Sequence, residues 1–237
     1  MQRSEKNSTS YSEYYEESLY KLQNGILNTV KNLNVPFYLT GGTALSRGYY
    51  NHRYSDDLDF FVNQDTKFNF YVNSILEGLQ KKGFFWSTDI GFVKSIDFFS
   101  LVVQHPNFNN RLKLDFVNDI AAHFGDIVKT PVYYKTDSIR NILSNKVTAL
   151  FRMSAKDVVD IHEICTHENF QWDEIFSEVR QKELGIEPSE TAEIISGFPK
   201  NAFDSIKWIH PMKYEQMMKN LEVISKDMLS LSKNSLA

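Results

Sequence analysis

The sequence predicts an α+β fold in which an N-terminal mixed β-sheet with flanking helices is followed by an α-helical C-terminal region. Short aromatic and β-branched segments, bounded by glycine, asparagine or proline, are confined to about the first 130 residues. In the remainder, apolar residues recur at helical spacing between residues that cap or break helices. We therefore expect a sheet domain over residues 1–130 and a helical domain over residues 131–237.

The sheet domain is expected to contain two long helices and five strands. Apolar side chains between Tyr15 and Leu33 step by three or four residues, which is typical of an amphipathic helix, and Pro36 blocks its continuation. The same spacing from Phe68 onward predicts a second helix that stops at Gly83. Strands are predicted over 36–40, 57–62, 84–88, 95–104 and 111–117. This order of elements favours a sheet with its helices on one side.

The helical domain is expected to contain five helices. Ser138 and Ser154 are suited to cap the first two, which are predicted to end near Phe151 and Cys165. Glycine and proline residues separate three more, over 171–183, 189–196 and 210–232. The C-terminal segment LSLSKNSLA is expected to be loose.

Composition excludes several classes of protein. Of 237 residues, 42% are hydrophobic and 24% charged, which excludes a disordered or fibrous chain. The single cysteine excludes a disulfide framework, and no apolar run approaches the ~20 residues that span a bilayer, so we expect a cytoplasmic protein without membrane contact. A net charge of −4 argues against coating nucleic acid through bulk positive charge. It leaves open a local basic patch formed by Arg47, Arg53, Lys94, Arg111 and Lys113.

The stretch LTGGTALSRGYYNHRYSDDLDFF places a glycine pair after one predicted strand and two acids in the next. Asp57 and Asp59 point to one face of their strand because side chains alternate along it. Two such carboxylates repel each other, and a divalent cation such as Mg²⁺ removes the repulsion. Backbone N–H groups at Gly41 and Gly42 are suited to phosphate, as is a helix that opens at Thr43. Taken alone, the acids also fit a solvated strand face, and the glycines an ordinary turn.

A third acid strengthens the chemical interpretation. Asp115 lies in the predicted strand LKLDFV between apolar neighbours, where a lone buried carboxylate would be costly. Together with Asp57 and Asp59 it gives three carboxylates on adjacent strands, which is the ligand set of a two-metal phosphoryl-transfer site.

Four motifs in this order resemble the nucleotidyltransferase superfamily related to DNA polymerase β. GGTAL, HRYSDDLDFF, LKLDF and KVTALFRMSAKDVVDI closely resemble the AbiEii/AbiGii-type toxin nucleotidyltransferases over about residues 37–165. The fourteen residues between Gly42 and Asp57 form a loop at the long end of the superfamily pattern.

The resemblance implies roles for the matching residues. Catalytic roles are implied for Asp57, Asp59, Asp115, Lys146 and Asp157, of which the first three would bind metal. Nucleotide-binding roles are assigned to Gly41, Gly42, Thr43, Arg53, Ser55, Lys113, Lys146, Arg152 and Lys156. Arg53 and Ser55 would contact phosphate or brace the loop. The charged residues of the fourth motif, Asp160 included, also fit a surface salt-bridge cluster.

The implied function is Mg²⁺-dependent (or Mn²⁺-dependent) transfer of a nucleoside monophosphate from a nucleoside triphosphate to an acceptor hydroxyl. The family implies a toxin with a cognate antitoxin that need not bind it, and a helical domain that completes the active-site cleft. The implied acceptor is the 3′ end of tRNA or another RNA. Alternatives are protein nucleotidylation, transfer to a small molecule such as an antibiotic, and a non-catalytic nucleotide-binding module. The presence of all three acids speaks against the last.

Overall fold

A computed structural model of the chain describes residues 11–237, which divide into two compact units. The first unit contains residues 11–121 and 127–137, and the second contains residues 122–126 and 138–237. The α+β prediction is confirmed. Within the described residues, none of the helices combines the length and the apolar character needed to cross a membrane.

Six strands in the described part of the first unit form one mixed sheet. The strands are β1 (Tyr38–Thr40), β2 (Leu58–Asn63), β3 (Phe85–Trp86), β4 (Val93–Lys94), β5 (Phe98–His105) and β6 (Phe108–Asp119). Their order is β1-β2-β6-β5-β3, and β4 also pairs with β5, on the side where β3 lies. The β2–β6 pair is parallel and the other pairs are antiparallel.

The helices of the first unit pack on the sheet and on each other. A π-helical segment, Tyr15–Leu19, runs into α1 (Tyr20–Asn32), and a turn of helix α2 (Gly41–Thr43) runs into a second π-helical segment, Ala44–Tyr50. Helix α3 (Phe68–Lys81) packs against α1, which in turn packs on β6. Alternation along β2 buries its even-numbered residues and leaves Asp59 half-buried on the opposite face, as predicted.

The second unit is helical, and its predicted helices are all present. They are α4 (Ile139–Thr148), α5 (Ala155–His167), α6 (Trp172–Lys182), α7 (Pro188–Ser196) and α8 (Tyr214–Ser230). A short 3₁₀ helix, Ala149–Arg152, follows α4, and another spans Lys200–Ser205. Ser138 caps α4 by accepting a hydrogen bond from the N–H of Asn141, whereas Ser154 precedes α5 without such a bond.

The prediction of a loose C-terminal segment is wrong. Asn234 is fully buried, and its side-chain amide donates to the carbonyl oxygens of Cys165 and Glu168, each at 2.7 Å. Lys233 also forms a β-bridge with Gln171. A polar segment without helical periodicity is therefore fixed by one asparagine whose donors satisfy the carbonyls at the end of a neighbouring helix.

Candidate active site

Two of the predicted acids lie side by side on one face of the sheet. Asp59 of β2 is paired in register with Asp115 of β6, and Asp115 is paired with Ser100 of β5. Directly paired residues on neighbouring strands share a face. Asp57 lies one residue before β2 begins, so it is on the loop side of the strand boundary rather than within the strand.

The carboxylate of Asp115 is held by two donors. The Ser100 hydroxyl donates to Oδ1 and the Lys113 ammonium to Oδ2, each at 2.5 Å. Although partial burial disfavours the charged form of Lys113, its hydrogen bond to Asp115 and the fields of Asp115, Asp57 and Asp59 raise its pKa. The negative charges of all three acids therefore favour the protonated form of Lys113.

The neighbouring acid Asp56 is engaged elsewhere, as strand alternation predicts. Its Oδ1 accepts a hydrogen bond from the Tyr15 hydroxyl, and the ring of Tyr15 stacks on Tyr54 with a centroid separation of 4.3 Å. Burial, reinforced by Asp56, raises the pKa of Tyr15, so that the phenol stays a donor. The segment that leads into Asp57 is thus fixed to the N-terminal helix.

A glycine is required at position 41 for two reasons, its backbone conformation and the closeness of the Asp59 side chain. Its φ is +68°, in the left-handed region that favours glycine, and a Cβ at this position would overlap Oδ2 of Asp59. The glycine thus allows the backbone that starts α2 to lie directly against the acidic strand.

Substitution of Gly41 by alanine is expected to damage both stability and activity. The left-handed backbone costs about 1–2 kcal/mol for a residue with a Cβ, and the methyl group would displace the Asp59 carboxylate. We expect a lower free energy of unfolding in urea, and the displaced carboxylate should lower the activity of a site built on Asp59 by at least ~10-fold, because rates fall steeply when reacting groups are misplaced. Gly185, with φ of +90° and no atom within 4 Å of an added Cβ, provides the control, since Gly185→Ala introduces only the backbone strain.

The second glycine lies beneath a buried arginine. A Cβ at Gly42 would be 2.5 Å from Nη2 of Arg53 and 3.2 Å from Oγ of Ser55. Arg53 and Ser55 are both buried. The Thr43 hydroxyl is also buried and donates to the carbonyl of Asp57. The structure thus brings Arg53 and Ser55 next to Gly42 at the start of α2, where Thr43 connects the glycine turn to Asp57.

The first turn of α2 has no side-chain cap. The helix begins at Gly41, two residues earlier than the predicted start at Thr43. Thr40 occupies the N-cap position, but its hydroxyl donates to Oδ2 of Asp137 at 2.5 Å and makes no cap bond. Backbone N–H groups in a first turn lack intrahelical partners and attract anions.

Asp137 was not identified from the sequence. It is fully buried, and its backbone N–H donates to the carbonyl of Leu39 at 2.9 Å. Its own carbonyl accepts a hydrogen bond from the Tyr49 hydroxyl at 2.5 Å. No motif marks this residue, and its distance along the chain from Thr40 leaves no local pattern that would reveal the contact.

The carboxylates fit a divalent cation in their chemistry. Mg²⁺ prefers hard oxygen donors, and Asp59 and Asp115 provide such donors from in-register positions on neighbouring strands. Within residues 11–237, however, no three His, Cys, Asp or Glu side chains are arranged to enclose a metal ion. The three-carboxylate ligand set therefore stays a prediction.

The five basic residues that the sequence leaves open as a local patch do not form one surface. Arg53 is buried, and the guanidinium of Arg47 donates to Gln23 and Asn24 on α1. Lys94 is paired with Phe99, which lies on the core face of the sheet, opposite to Lys113. Among these five basic residues, only Arg111 and Lys113 are exposed on the same face of β6 as the acids.

The fourth motif forms an ion-pair cluster within the second unit. The Lys146 ammonium lies 2.8 Å from Oδ1 of Asp157 and 2.7 Å from Oδ2 of Asp160. Arg152 makes a two-pronged contact with Asp157 at 2.5 and 2.7 Å. The interpretation as a surface salt-bridge cluster is wrong, because both aspartates are fully buried and Lys146 is nearly so. Lys156 lies beside them on α5 and is partly exposed.

The cations of this cluster keep Asp157 charged in the interior. Burial favours the neutral acid, but the field of Lys146 and the hydrogen bonds from Arg152 and Lys146 outweigh it and lower the pKa of Asp157. The Arg152 side chain remains 62% exposed while Asp157 fixes its guanidinium. Lys146 thus forms ion pairs with two buried carboxylates. Of the two cations that contact Asp157, Arg152 is the one exposed to solvent.

Comparison with solved structures finds chains of the same fold, three of which follow, whereas no curated protein matches the chain. JHP933 from Helicobacter pylori gives a TM-score of 0.55 at 19% identity over 89% of this chain and 92% of its own. A candidate nucleotidyltransferase from H. pylori gives 0.57 at 20% identity, with 91% and 96% covered. MenT4, a nucleotidyltransferase toxin of Mycobacterium tuberculosis, gives 0.55 at 14% identity, with 88% and 83% covered. At these identities the likeness shows the fold alone.

A family model matches residues 26–227, which is most of the chain. Its description is nucleotidyl transferase AbiEii toxin, type IV toxin–antitoxin system. The matched region contains the glycine pair, the three acids and the ion-pair cluster, and the resemblance inferred from the motifs is confirmed. The chain belongs to the AbiEii family of nucleotidyl transferase toxins.

Proposed function

We propose that the protein transfers a nucleoside monophosphate from a nucleoside triphosphate to an acceptor hydroxyl, in a reaction that requires Mg²⁺ or Mn²⁺. The observation that carries this proposal is the in-register pair of Asp59 and Asp115 directly beside the glycine turn at Gly41. Acids beside a phosphate-binding turn are what nucleotidyl transfer requires, and membership of a nucleotidyl transferase family supports the same chemistry.

In the proposed mechanism the residues of the first unit have separate roles in binding the metal, binding the triphosphate and accepting a proton. Asp57, Asp59 and Asp115 would hold the metal, which when bound neutralises triphosphate charge and acidifies the attacking hydroxyl. Backbone N–H groups of the first turn of α2 bind triphosphate oxygens. The acceptor oxygen then forms a bond to the α-phosphorus as the bond to pyrophosphate breaks. Asp115 accepts the hydroxyl proton, and Lys113 keeps that carboxylate oriented.

In the second unit we propose that Arg152 binds an anionic group of a substrate. Its guanidinium is exposed, and a buried carboxylate fixes its orientation, which lowers the entropy lost on binding. Lys146 would then act through Asp157 rather than by direct contact with phosphate. Removal of Arg152 should therefore weaken substrate binding more than it weakens the fold.

For the acceptor, we propose the 3′ end of an RNA, with tRNA as the first candidate. Arg111 and Lys113 are exposed on the sheet face that carries the acids, and their positive charges would attract a phosphate backbone toward the reacting hydroxyl. The overall charge of −4 indicates that such binding depends on this local pair rather than on the whole surface.

A labelling assay tests the proposal. Purified protein is incubated with each of the four α-labelled triphosphates and Mg²⁺, with total tRNA or with cell lysate, and parallel samples contain EDTA. We expect label on tRNA-sized RNA that disappears with EDTA. Label on a protein band, or on a small molecule, would replace the RNA acceptor, and label that persists in EDTA would contradict the metal requirement. Absence of label from all samples would contradict catalysis.

A further inference from the structure

We propose that Gln23 is a positioning residue for Asp57, because its buried amide holds the main chain that leads into this carboxylate. The inference rests on the proposed function, since it assigns a role in metal binding to a residue outside the predicted site. Gln23 lies before residue 26, where the match to the family model begins, so the family pattern does not identify it. The side chain acts through the backbone and touches no substrate.

The first observation is that side chains hold the segment in front of β2. The ladder between β2 and β6 begins at Leu58, so Asp57 precedes it. The carbonyl of every residue from 53 to 57 accepts a hydrogen bond from a side chain. The donors are Ser46 to Arg53, Arg53 to Tyr54, Gln23 to Ser55 and Asp56, and Thr43 to Asp57. The position of Asp57 thus depends on these side-chain donors.

The second observation is that Gln23 holds two of these carbonyls with one oriented amide. Its Nε2 lies 3.1 Å from the carbonyl oxygen of Ser55 and 3.3 Å from that of Asp56, and the residue is fully buried. Its Oε1 accepts a hydrogen bond from Nη1 of Arg47 at 2.7 Å. A guanidinium can only donate and a carbonyl can only accept, so these partners determine which way the amide points.

The third observation is that the same N-terminal helical stretch binds other groups of this segment. The Tyr15 hydroxyl donates to the Asp56 carboxylate, and the Tyr20 hydroxyl accepts from the N–H of Ser55 at 3.4 Å. The carbonyl and the side chain of Asp56 are therefore both held, one residue before Asp57.

Loss of the Gln23 amide should displace Asp57 because buried carbonyls require donors. Without that amide, the segment would move toward other donors and take the next residue with it. The charge of Asp57 acts on Lys113 together with the charges of Asp59 and Asp115, so Asp57 lies within electrostatic range of the acid pair. Movement of its main chain would change how the three carboxylates share a cation. Groups that orient metal ligands typically contribute about 10–100-fold to metal affinity.

Three variants separate this positioning role from a contribution to stability alone. Gln23→Glu keeps the shape of the side chain and an oxygen for Arg47, but it replaces the donors with an oxygen that repels the two carbonyls. Gln23→Met removes these hydrogen bonds and retains much of the volume. Val30→Ala is the matched control, because Val30 is fully buried on the same helix and its truncation lowers stability through packing.

Three quantities are measured for each protein. The dissociation constant of Mn²⁺ is obtained from the electron paramagnetic resonance signal of the free ion, without any nucleotide. Amide hydrogen exchange is followed in the peptide that spans residues 53–59. The melting temperature reports the loss of stability.

We expect both Gln23 variants to weaken Mn²⁺ binding about 10-fold or more, as is typical when a group that orients a metal ligand is removed. Hydrogen exchange should become faster in the peptide 53–59 and stay unchanged in β5. Val30→Ala should bind Mn²⁺ within about 2-fold of the wild type, because distant substitutions act independently, even where its melting temperature falls as far as that of Gln23→Met.

Folded Gln23 variants that bind Mn²⁺ as tightly as the wild type would overturn the inference. An equal loss of affinity in Val30→Ala would also overturn it, because a general loss of stability predicts that result. If Gln23→Met does not fold, Gln23→Glu decides alone, since it preserves the shape of the side chain. A wild-type protein that binds no Mn²⁺ contradicts the metal-dependent function itself, whereas equal binding by the wild type and the Gln23 variants contradicts only the role of Gln23.

Discussion

Asp59→Asn is expected to abolish nucleotidyl transfer while the sheet stays folded. The substitution preserves the size of the side chain and removes the charge that lies opposite Asp115 and against Gly41. Loss of one preorganised electrostatic group typically costs on the order of 10²–10³ in rate, and loss of a metal ligand should reach the upper end. The measurement is the initial rate of label transfer, with circular dichroism and a melting curve to establish that the variant is folded.

Asp119→Asn is the matched control for this experiment. Asp119 lies further along β6, its carboxylate accepts from the N–H of Ile120, and its in-register partner on β2 is Asn63 rather than an acid. We expect this variant to retain activity close to that of the wild type. A folded Asp59→Asn protein with more than a tenth of the wild-type rate would contradict the assigned role of the acid pair.

The second large effect is on stability, and it concerns Lys146. Replacement by methionine, which retains much of the side-chain volume, removes the cation that contacts two fully buried carboxylates. Breaking a buried pair from one side typically costs about 3–5 kcal/mol, because the remaining charge keeps its desolvation penalty. We expect a loss of this size in the free energy of unfolding, measured by urea denaturation. Arg152→Met should cost much less, because that side chain is largely exposed and Lys146 remains beside Asp157.

The pH dependence of stability provides an independent check on this cluster. Since the folded pKa of Asp157 is lowered, its contribution to stability is fully present above the unfolded value near 3.9 and is lost as the pH falls through the folded value. The decline of stability below pH 4 should therefore be shallower in Lys146→Met than in the wild type. A Lys146→Met protein of wild-type stability without activity would instead favour direct contact between Lys146 and triphosphate.

Most of the element pattern could be predicted because it depends on local periodicity. The alternation in DLDFFV places Asp59 opposite the core, and the spacing of apolar residues defines α1, α3 and the later helices. The strand predicted over 84–88 contains only Phe85 and Trp86, and β4 was missed. Both lie along the outer side of β5, where partly exposed side chains and short pairing leave little periodic signal.

Contacts between distant parts of the sequence explain what could not be predicted. Thr40 and Asp137 meet across 97 positions, and neither residue belongs to a pattern that indicates the other. The charges of the fourth motif were visible, but their burial depends on how α4 and α5 pack, which helical spacing alone does not specify. Family resemblance therefore indicated the candidate residues, and only the three-dimensional arrangement distinguished the buried Lys146 from the exposed Arg152.

The parallel pairing of β2 with β6 has a consequence for the synthesis of this chain. Asp59 leaves the ribosome well before Asp115, since α3 and three strands separate them in sequence. The β5–β6 hairpin can form locally, but its register with β2 is a long-range contact, which forms slowly. The segment that contains Asp137 emerges later still and completes the edge beside β1. A partly translated chain that ends before β6 therefore lacks the in-register pair of Asp59 and Asp115.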